Sequence, residues 1–285
     1  MILFKKIAEQ RKWLDAQQKK GSRIGFVPTM GALHPGHISL IDASKEHDSI
    51  TVSSIFVNPT QFNNPADFEK YPITIEKDIS LLEGAGCDVL FLPAVKEIYP
   101  NWPPSPAHYD LGYLETVLEG KYRPGHFQGV CMVVHRLLDI VKPDDLYLGQ
   151  KDYQQCMVIT KLVGLVGEAG KINIHICPTL REDDGLAMSS RNMRLNDKER
   201  SISTAIYRCL ASIKNNIRPG DITTLKREAT EILKQAGFKP DYVEIANAMD
   251  LSLKTNWDGN EKLVALVAAY LNEVRLIDNM LLNGS

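Results

Sequence analysis

The sequence predicts a Rossmann-like α/β fold, with a parallel sheet covered by helices on both faces, and a smaller C-terminal α+β domain. Two observations support this class. Up to Cys177, short apolar stretches alternate with helical patterns, as in a buried parallel sheet. After Pro178, two helical patterns are followed by three strand patterns. The 285 residues suffice for two domains, and we predict residues 1–178 as the first and residues 179–285 as the second.

The first domain is predicted element by element from apolar periodicity. Helical spacing from Phe4 to Leu14, with a stop at Gly21, predicts the first helix. Short apolar runs predict strands at residues 24–27, 50–57, 88–92, 146–148 and 172–177. Helical patterns between them predict helices near residues 37–47, 75–82, 130–141 and 153–166. The Pro-rich stretch 100–106 is expected to form a surface loop.

The second domain begins with a polar loop at residues 181–196. Helices are predicted near residues 198–215 and 223–237. Strands are predicted near residues 242–245, 263–271 and 274–281. The change from alternating elements to helices followed by strands is what indicates a separate α+β unit.

Composition argues against several classes of function. Lys and Arg total 33 against 35 for Asp and Glu, and the net charge of −2 is spread evenly over the two domains, so nucleic-acid binding is not expected. The five cysteines form no CxxC pair or zinc-ligand spacing and are expected to be reduced. The longest apolar run, Leu263–Leu271, is about half of a membrane span. We therefore expect a cytoplasmic protein, with no membrane partner, that acts on small molecules.

The strongest motif lies between the first predicted parallel strand and the next helix. Residues 28–37 read PTMGALHPGH. Ligands of an open α/β sheet collect at the carboxyl ends of its strands, where helix N-termini favour anions. Gly31 and Gly36 allow backbone amides to approach an anion closely, and His34 and His37 are spaced to face one phosphate.

Other interpretations of the two histidines remain open. They could be a metal-binding pair, although the loop offers no further zinc ligands, or two structural histidines. Neither a GxGxxG pattern nor a GxxxxGK[ST] pattern occurs in this loop, which argues against a dinucleotide site and a P-loop.

Two further segments carry groups suited to phosphate. Residues 188–191, with the sequence MSSR, offer two hydroxyls and a guanidinium, and residues 149–152, GQKD, place Lys151 after a strand at the same sheet edge. A solvated turn and, for Asp152, helix capping are the ordinary alternatives. Gln61 and Gln155 add neutral amides that suit hydroxyl and carboxylate groups.

Taken together, these motifs resemble a known family. The HxGH loop and the SSR segment are similar to the HIGH and KMSKS pair of the class I aminoacyl-tRNA synthetase and nucleotidylyltransferase superfamily. More specifically, the blocks FVPTMGALHPGH, FVNPTQF, EGKYRPGHFQGV, LGQKDYQQ and DGLAMSSRN resemble the pantoate–β-alanine ligase family in sequence and in order. Two residues depart from its pattern: Pro35 stands where an acidic residue is common, and Gln150 replaces the usual glutamate.

The resemblance implies an ATP-dependent ligase that condenses pantoate with β-alanine through pantoyl adenylate, with release of pyrophosphate and AMP. It implies catalytic roles for His37, His34 and Lys151. It implies that ATP is bound by Met30, Gly31, Ala32, Leu33, His34, Pro35, Gly36, His37, Gly149, Gln150, Lys151, Asp152, Leu180, Met188, Ser189, Ser190 and Arg191. Gln61 and Gln155 are implied for pantoate, Gln61 also for β-alanine, and Tyr71, Glu119 and Arg123 match further positions near the cavity.

Three more expectations follow from the resemblance. Mg²⁺ accompanies ATP, with Asp78, Asp152 or mainly phosphate oxygens and water as its ligands. The smaller domain closes over the site, because an acyl adenylate has to be shielded from water. The protein forms a homodimer.

Two other functions stay open at the level of sequence. A nucleotidylyltransferase that acts on a small phosphorylated acceptor would share the HxGH and SSR elements, but its acceptor pocket should be more basic than two glutamines suggest. A non-catalytic nucleotide-binding or RNA-binding relative is the other alternative. The balanced charge argues against RNA.

Overall fold

The structure, a computed structural model, describes residues 1–63, 68–104 and 107–283. The chain divides into two compact units. Unit 1 contains residues 1–149 and 155–178, and unit 2 contains residues 150–154 and 179–285. The short segment 150–154, which the sequence places in the first domain, therefore groups with the second unit. Residues 105 and 106 of the Pro-rich stretch lie outside the described residues.

Unit 1 contains a six-stranded sheet whose neighbouring strands are all parallel. Its strands are β1 Ile2–Phe4, β2 Ile24–Thr29, β3 Ile50–Ile55, β4 Val89–Phe91, β5 Asp145–Gly149 and β6 Asn173–Cys177. Their order across the sheet is β1-β4-β3-β2-β5-β6. Every residue of β3 and β4 is buried, as expected when helices cover both faces of a parallel sheet. The predicted fold class is confirmed.

The helices of this region connect the parallel strands. They are α1 Ile7–Gln18, α2 Pro35–His47, α3 Ile75–Gly84, α4 Val95–Ile98, α5 Leu118–Tyr122, α6 His126–Val141 and α7 Tyr153–Leu165. Because β2 and β3 are adjacent and parallel, the loops that follow them emerge at the same edge of the sheet. We call this the carboxyl edge, and the opposite one the amino edge.

The start of the chain differs from the sequence prediction. Phe4, which was expected to open the first helix, is the last residue of strand β1, and α1 begins only at Ile7. Strand β1 pairs with β4 along residues 89–91. Three residues are too few to show a strand period, so only this tertiary pairing reveals the strand.

Unit 2 contains an antiparallel sheet and helices. Its elements are β7 Gly220–Asp221, β8 Lys239–Asn247, β9 Asn256–Trp257, β10 Leu263–Leu271, β11 Val274–Leu281, α8 Asp197–Ser203, α9 Ala205–Asn216 and α10 Thr223–Gln235. Strands β8 and β11 flank β10, and β7 pairs with β9. The stretch 198–215, expected as one helix, is divided at Thr204 into α8 and α9.

The described residues also bear on membrane-spanning segments and on the cysteines. No helix among them is long and apolar enough to cross a membrane. None of the five cysteines, all within the described ranges, forms a disulfide, and four of them are buried.

Candidate active site

The HxGH loop lies at the carboxyl edge of the parallel sheet. Strand β2 ends at Thr29 and helix α2 begins at Pro35, so the loop between them is only five residues long. His34 is the N-cap residue of α2, with extended backbone angles, and Pro35 occupies the first turn. A proline is well suited to that position, because its fixed φ is helical and the N–H that it lacks has no partner within the helix. Pro35 therefore supports the start of α2.

The side chains of His34 and His37 pack against each other. Their ring centroids are 4.0 Å apart, and the backbone N–H of His34 donates a hydrogen bond to Nδ1 of His37 over 3.3 Å. Since a backbone N–H can only donate, Nδ1 is the acceptor, and neutral His37 carries its proton on Nε2. This tautomer can donate a hydrogen bond to a phosphate oxygen.

The backbone amides before His34 are directed at groups of the protein. Gly31 N–H donates to Oγ1 of Thr29, at 3.2 Å. Ala32 and Leu33 donate to the carboxylate of Asp78, at 2.9 and 2.8 Å. From the sequence we expect Gly31 to let backbone amides approach an anion closely, and in the structure the Gly31 N–H donates to Thr29. The groups of this loop that could still face a ligand are therefore its side chains and the start of α2.

Gln61 lies at the same sheet edge, in the turn that follows β3. Its side chain is buried, its Oε1 accepts from Nδ2 of Asn58 at 3.0 Å, and its Nε2 contacts Sδ of Met30 at 3.1 Å. The structure thus brings the predicted pantoate ligand Gln61 to the predicted ATP ligand Met30. Nε2 carries a second N–H, with which the amide can bind a carboxylate or hydroxyl oxygen.

Sequence reasoning missed several residues that hold this turn. Nδ2 of Asn58 also donates to the carbonyl oxygen of Gly129, at 3.1 Å, and Tyr99 donates its hydroxyl proton to Oδ1 of Asn58 at 2.9 Å. A Cβ at Gly129 would lie 2.2 Å from the carbonyl oxygen of Thr60, so only glycine permits this close approach. The only signal in the sequence is that Asn58 lies in the FVNPTQF block.

Three side chains in contact with one another, Glu119, Arg123 and His126, lead to the backbone of Gln61. Nδ1 of the buried His126 is 2.8 Å from the Gln61 carbonyl oxygen and donates to it. Nη1 of Arg123 is 3.1 Å from Nε2 of His126 and 3.7 Å from the Glu119 carboxylate. A guanidinium can only donate, so Nε2 of His126 accepts, and His126 is neutral. Arg123 and Glu119 thus support Gln61 indirectly.

Within unit 2, three of the predicted phosphate ligands line one small pocket. Lys151, Ser189 and Arg191 lie on its wall, together with Asn192, Arg275 and Asp278. Lys151 is mostly shielded from solvent and lies 3.9 Å from the Asp152 carboxylate. The pocket wall thus carries three cationic side chains, one carboxylate and the Ser189 hydroxyl, and cations and hydroxyls are groups that bind phosphate. The structure therefore brings Lys151 of the GQKD segment together with Ser189 and Arg191 of the MSSR segment inside this unit.

Strand β11 supports the pocket through residues that sequence reasoning missed. Nδ2 of Asn279 donates to the carbonyl oxygens of Gln150 and Lys151, at 2.9 and 2.8 Å. Both Nη atoms of Arg181 donate to the Asp278 carboxylate, at 2.6 and 3.0 Å. Nη2 of Arg181 also donates to the Asn279 carbonyl oxygen. Burial raises the pKa of Asp278, and the Arg181 guanidinium opposes that rise.

The other predicted ligands are more dispersed. Gly149 ends β5, and Gln155 is half-buried in α7. Met188 donates its N–H to the Leu180 carbonyl oxygen at 3.0 Å, which brings two predicted ATP ligands together. Ser190 is buried at the start of a short 3-10 helix that Ser189 caps.

A second polar cluster lies at the amino edge of the sheet. Arg23 contacts both Asp48, at 3.6 Å, and Asp145, at 2.5 Å. The hydroxyl of Tyr147 donates to Asp48 at 2.6 Å, and Nε2 of His175 is 2.7 Å from Asp145. The rings of Tyr147 and His175 stack at 4.6 Å.

The two carboxyl groups of this cluster are perturbed in opposite directions. Burial raises the pKa of Asp48, and a hydrogen bond with Asp145 adds to the rise. Burial also acts to raise the pKa of Asp145, but hydrogen bonds with His175 and Asp48 bring it below its ordinary value. When the pair shares one proton, these directions place it on Asp48 and leave Asp145 ionised.

A protein site for a metal ion needs several ligands close together. The described residues contain no group of three or more His, Cys, Asp or Glu side chains that could hold a metal ion. Both oxygens of Asp78 accept from backbone amides, and its side chain is fully buried, so Asp78 does not fit as a Mg²⁺ ligand. The carboxylate of Asp152 is about half exposed beside Lys151 and does fit.

The fold and these two sets of residues define a class of protein. A parallel α/β sheet with a histidine-bearing loop before a helix at its carboxyl edge, together with a pocket lined by Lys151 and Arg191, is typical of a nucleotide-binding enzyme. A sequence model of the pantoate-beta-alanine ligase family matches residues 2–281, so the chain belongs to that family.

Individual relatives agree with this membership. A pantothenate synthetase of Cytophaga hutchinsonii is 44% identical over 285 residues, which covers 99% of each chain. The crystal structure of pantothenate synthetase from Thermus thermophilus matches with a TM-score of 0.89 at 37% identity, covering 98% of this chain and 99% of that one. Pantoate-beta-alanine ligase from Francisella tularensis, complexed with "Beta-gamma ATP and Beta-alanine", matches with a TM-score of 0.82 at 39% identity, covering 99% and 97%. These matches favour the ligase over the nucleotidylyltransferase.

Proposed function

We propose that this protein is an AMP-forming ligase that condenses pantoate with β-alanine in two steps. In the first, a carboxylate oxygen of pantoate attacks the α-phosphorus of ATP, and pyrophosphate leaves. In the second, the amine of β-alanine attacks the acyl carbon of pantoyl adenylate, AMP leaves, and the nitrogen loses a proton. Family membership along residues 2–281 carries this proposal.

The first step requires positioning and charge neutralisation more than covalent help. We propose that His34 and His37 donate to phosphate oxygens of ATP, with His37 using Nε2–H. We further propose that Lys151, Ser189 and Arg191 bind phosphate groups through the cationic pocket of unit 2. These groups oppose the negative charge that develops on the leaving pyrophosphate.

We propose that the neutral side-chain amides of Gln61 and Gln155 bind pantoate. Gln61 is fixed by Asn58 on its oxygen side, so the direction of its N–H groups is set before substrate arrives. That arrangement suits the carboxylate of pantoate and afterwards the acyl group of the adenylate. Gln155 is proposed as the second amide.

Mg²⁺ is proposed to accompany ATP. When bound, it would neutralise phosphate charge, and the Asp152 carboxylate is a group that suits it. A location in the cytoplasm and a homodimeric assembly are further proposals. The first rests on composition and cysteine usage, and the second on the family resemblance.

The decisive experiment is an AMP-release assay on the purified protein. AMP formation should require ATP, pantoate and β-alanine together, and pantoate alone should support exchange of labelled pyrophosphate into ATP. AMP release without β-alanine, or a product that retains the AMP group, would point to a nucleotidylyltransferase or a hydrolase instead.

The Lys151→Ala variant tests the cationic pocket. We expect it to fold normally and to exchange pyrophosphate at least 100-fold more slowly, because loss of one transition-state contact of this kind typically costs ~2.7–4 kcal/mol. The exposed Lys171, paired with Glu168 at 3.3 Å, gives the matched control Lys171→Ala, which should keep wild-type activity. Wild-type exchange by Lys151→Ala would remove Lys151 from the mechanism.

A further inference from the structure

Asp78 is a buried acid that has no role in the chemistry described so far. It lies in the first turn of α3, and its side chain is fully buried. Its Oδ2 accepts from Ala32 N–H at 2.9 Å, and its Oδ1 accepts from Leu33 N–H at 2.8 Å. Oδ1 also accepts from the hydroxyl of Thr74, at 3.0 Å. Three donors thus converge on one carboxylate.

The loop that Asp78 holds has an unusual backbone. Gly31 has φ +81° and Ala32 has φ +49°, so two consecutive residues adopt the left-handed region, which alanine disfavours. The N–H groups of Ala32 and Leu33 both point to one side of this loop, where they form a concave site for an anion. A Cβ at Gly31 would lie 3.1 Å from Oδ2 of Asp78. The anion in this concave site is the carboxylate of the protein itself.

The residues held in this way lead directly to the two histidines. The Leu33 side chain is buried in the core cluster of unit 1, so both its backbone and its side chain are fixed. The next residue is His34, the N-cap of α2, whose N–H donates to His37. A change in the backbone conformation of residues 31–33 would therefore move the N–H of His34. The hydrogen bond from this N–H is what fixes the tautomer of His37.

We propose that Asp78 is a positioning residue for the adenylation step. Its carboxylate accepts from the loop amides at the position where an anionic ligand could otherwise bind. In this way it fixes the backbone that leads to His34 and His37. This inference rests on the proposed function, since it assigns Asp78 to the same reaction without contact with substrate.

Charge and geometry together explain why an acid is needed here. Two backbone amides approach two different oxygens of the carboxylate. An asparagine has the same shape, but only one of its two terminal atoms can accept, and its NH₂ group would face an N–H donor. The Asp78→Asn variant should therefore keep the packing of the helix and release one end of the loop.

The test compares Asp78→Asn with a matched variant on the same helical turn. Glu76 is exposed there, and Glu76→Gln removes the same charge from the start of α3. We expect Asp78→Asn to lower kcat and the pyrophosphate exchange rate by 30-fold or more, while the KM for β-alanine changes less than twofold. Glu76→Gln should match the wild type in all three quantities.

Hydrogen exchange gives a readout that does not depend on activity. The amides of Ala32 and Leu33 should be protected in the wild type and in Glu76→Gln, and should exchange at least tenfold faster in Asp78→Asn. A folded Asp78→Asn protein with kcat within twofold of the wild type would overturn the inference. Absence of activity in the wild type and in Glu76→Gln would instead count against the proposed function.

A second variant covers the case in which Asp78→Asn fails to fold. Thr74→Val removes only the hydroxyl that donates to Oδ1. We expect kcat to fall two- to fivefold, with faster exchange of the Leu33 amide and an unchanged KM for β-alanine. Unchanged kcat and unchanged Leu33 protection would contradict the positioning role.

Discussion

The two edges of the six-stranded sheet use buried carboxylates in different ways. At the carboxyl edge, Asp78 accepts from two backbone amides and one hydroxyl. At the amino edge, Asp48 and Asp145 lie together, and each interacts with Arg23 and with the side chain of a neighbouring residue on the sheet. The first arrangement fixes a loop, whereas the second fixes only side chains that belong to the sheet and its immediate surroundings.

This difference predicts that Asp78 at the carboxyl edge affects the reaction, whereas Asp48 and Asp145 at the amino edge affect folding stability. Two of the three donors to Asp78 are amides of the loop that leads to His34 and His37, so a change there should alter the reaction rate. The polar groups at the amino edge are directed at one another, so a change there should alter folding stability. The following variants test the separation, from the largest expected effect to the smallest.

The His37→Ala variant should show the largest effect. We expect pyrophosphate exchange to fall about 100- to 1000-fold, since removal of one such donor typically costs ~2.7–4 kcal/mol of barrier. The melting temperature should stay within about 2 °C of the wild type, because His37 is only partly buried in the first turn of α2. Exchange at the wild-type rate would show that the carboxyl edge does not carry the chemistry.

The Asp145→Asn variant should show the opposite behaviour. It removes the charge that faces Arg23 and His175, and we expect unfolding to become easier by about 2 kcal/mol, the scale of a hydrogen bond to a charged group. The kcat measured at 25 °C should be unchanged. Asp139, whose side chain is 59% exposed, provides the control Asp139→Asn, which should leave both quantities unaltered. A fall in kcat of tenfold or more with Asp145→Asn would contradict the separation.

The Asp48→Asn variant should show a smaller effect that depends on pH. Burial raises the pKa of Asp48 above its ordinary value of 3.8. Below pH 3.8 the carboxyl is protonated in both states, and its contribution to stability is fully present. As the pH rises through the native pKa, the unfolded chain loses the proton first, and that contribution is lost.

Asparagine keeps an acceptor for the Tyr147 hydroxyl and a donor toward Asp145, but it does not titrate. The stability of Asp48→Asn relative to the wild type should therefore increase as the pH rises from 4 to 7. Denaturant unfolding at pH 4, 5.5 and 7 measures this difference. A difference that stays constant, or that decreases with pH, would show that Asp48 is not the protonated partner.

Much of the fold could be predicted because its elements carry local signals. Strands such as β2 and β3 are continuous apolar runs, and Gly, Pro and polar clusters separate them from helices. Strand β1 could not be predicted, since three residues carry no period and its partner β4 lies more than 80 residues away along the chain. The division at Thr204 is also a matter of local backbone geometry that apolar spacing does not encode.

Some candidate residues of the site could be named from the sequence. The HxGH loop and Lys151 stand out because polar side chains follow strand ends there, and the structure places Lys151 beside Ser189 and Arg191. Asn279 and Arg181 did not stand out, since an Asn or Arg in a strand or loop is ordinary until its partner is known. Their partners, Lys151 and Asp278, are 128 and 97 residues away in sequence.

The sequence by itself determined the alternation of strands and helices, the place of the HxGH loop at a strand end, and the types of side chain available for phosphate. These properties depend on periodicity and on neighbours within a few residues. Only the tertiary structure decided that the loop amides bind Asp78, 45 and 46 residues further along the chain, and that Asp48 meets Asp145. Such partners are set by the strand order β1-β4-β3-β2-β5-β6, because hydrogen bonds and buried charges depend on distance in space.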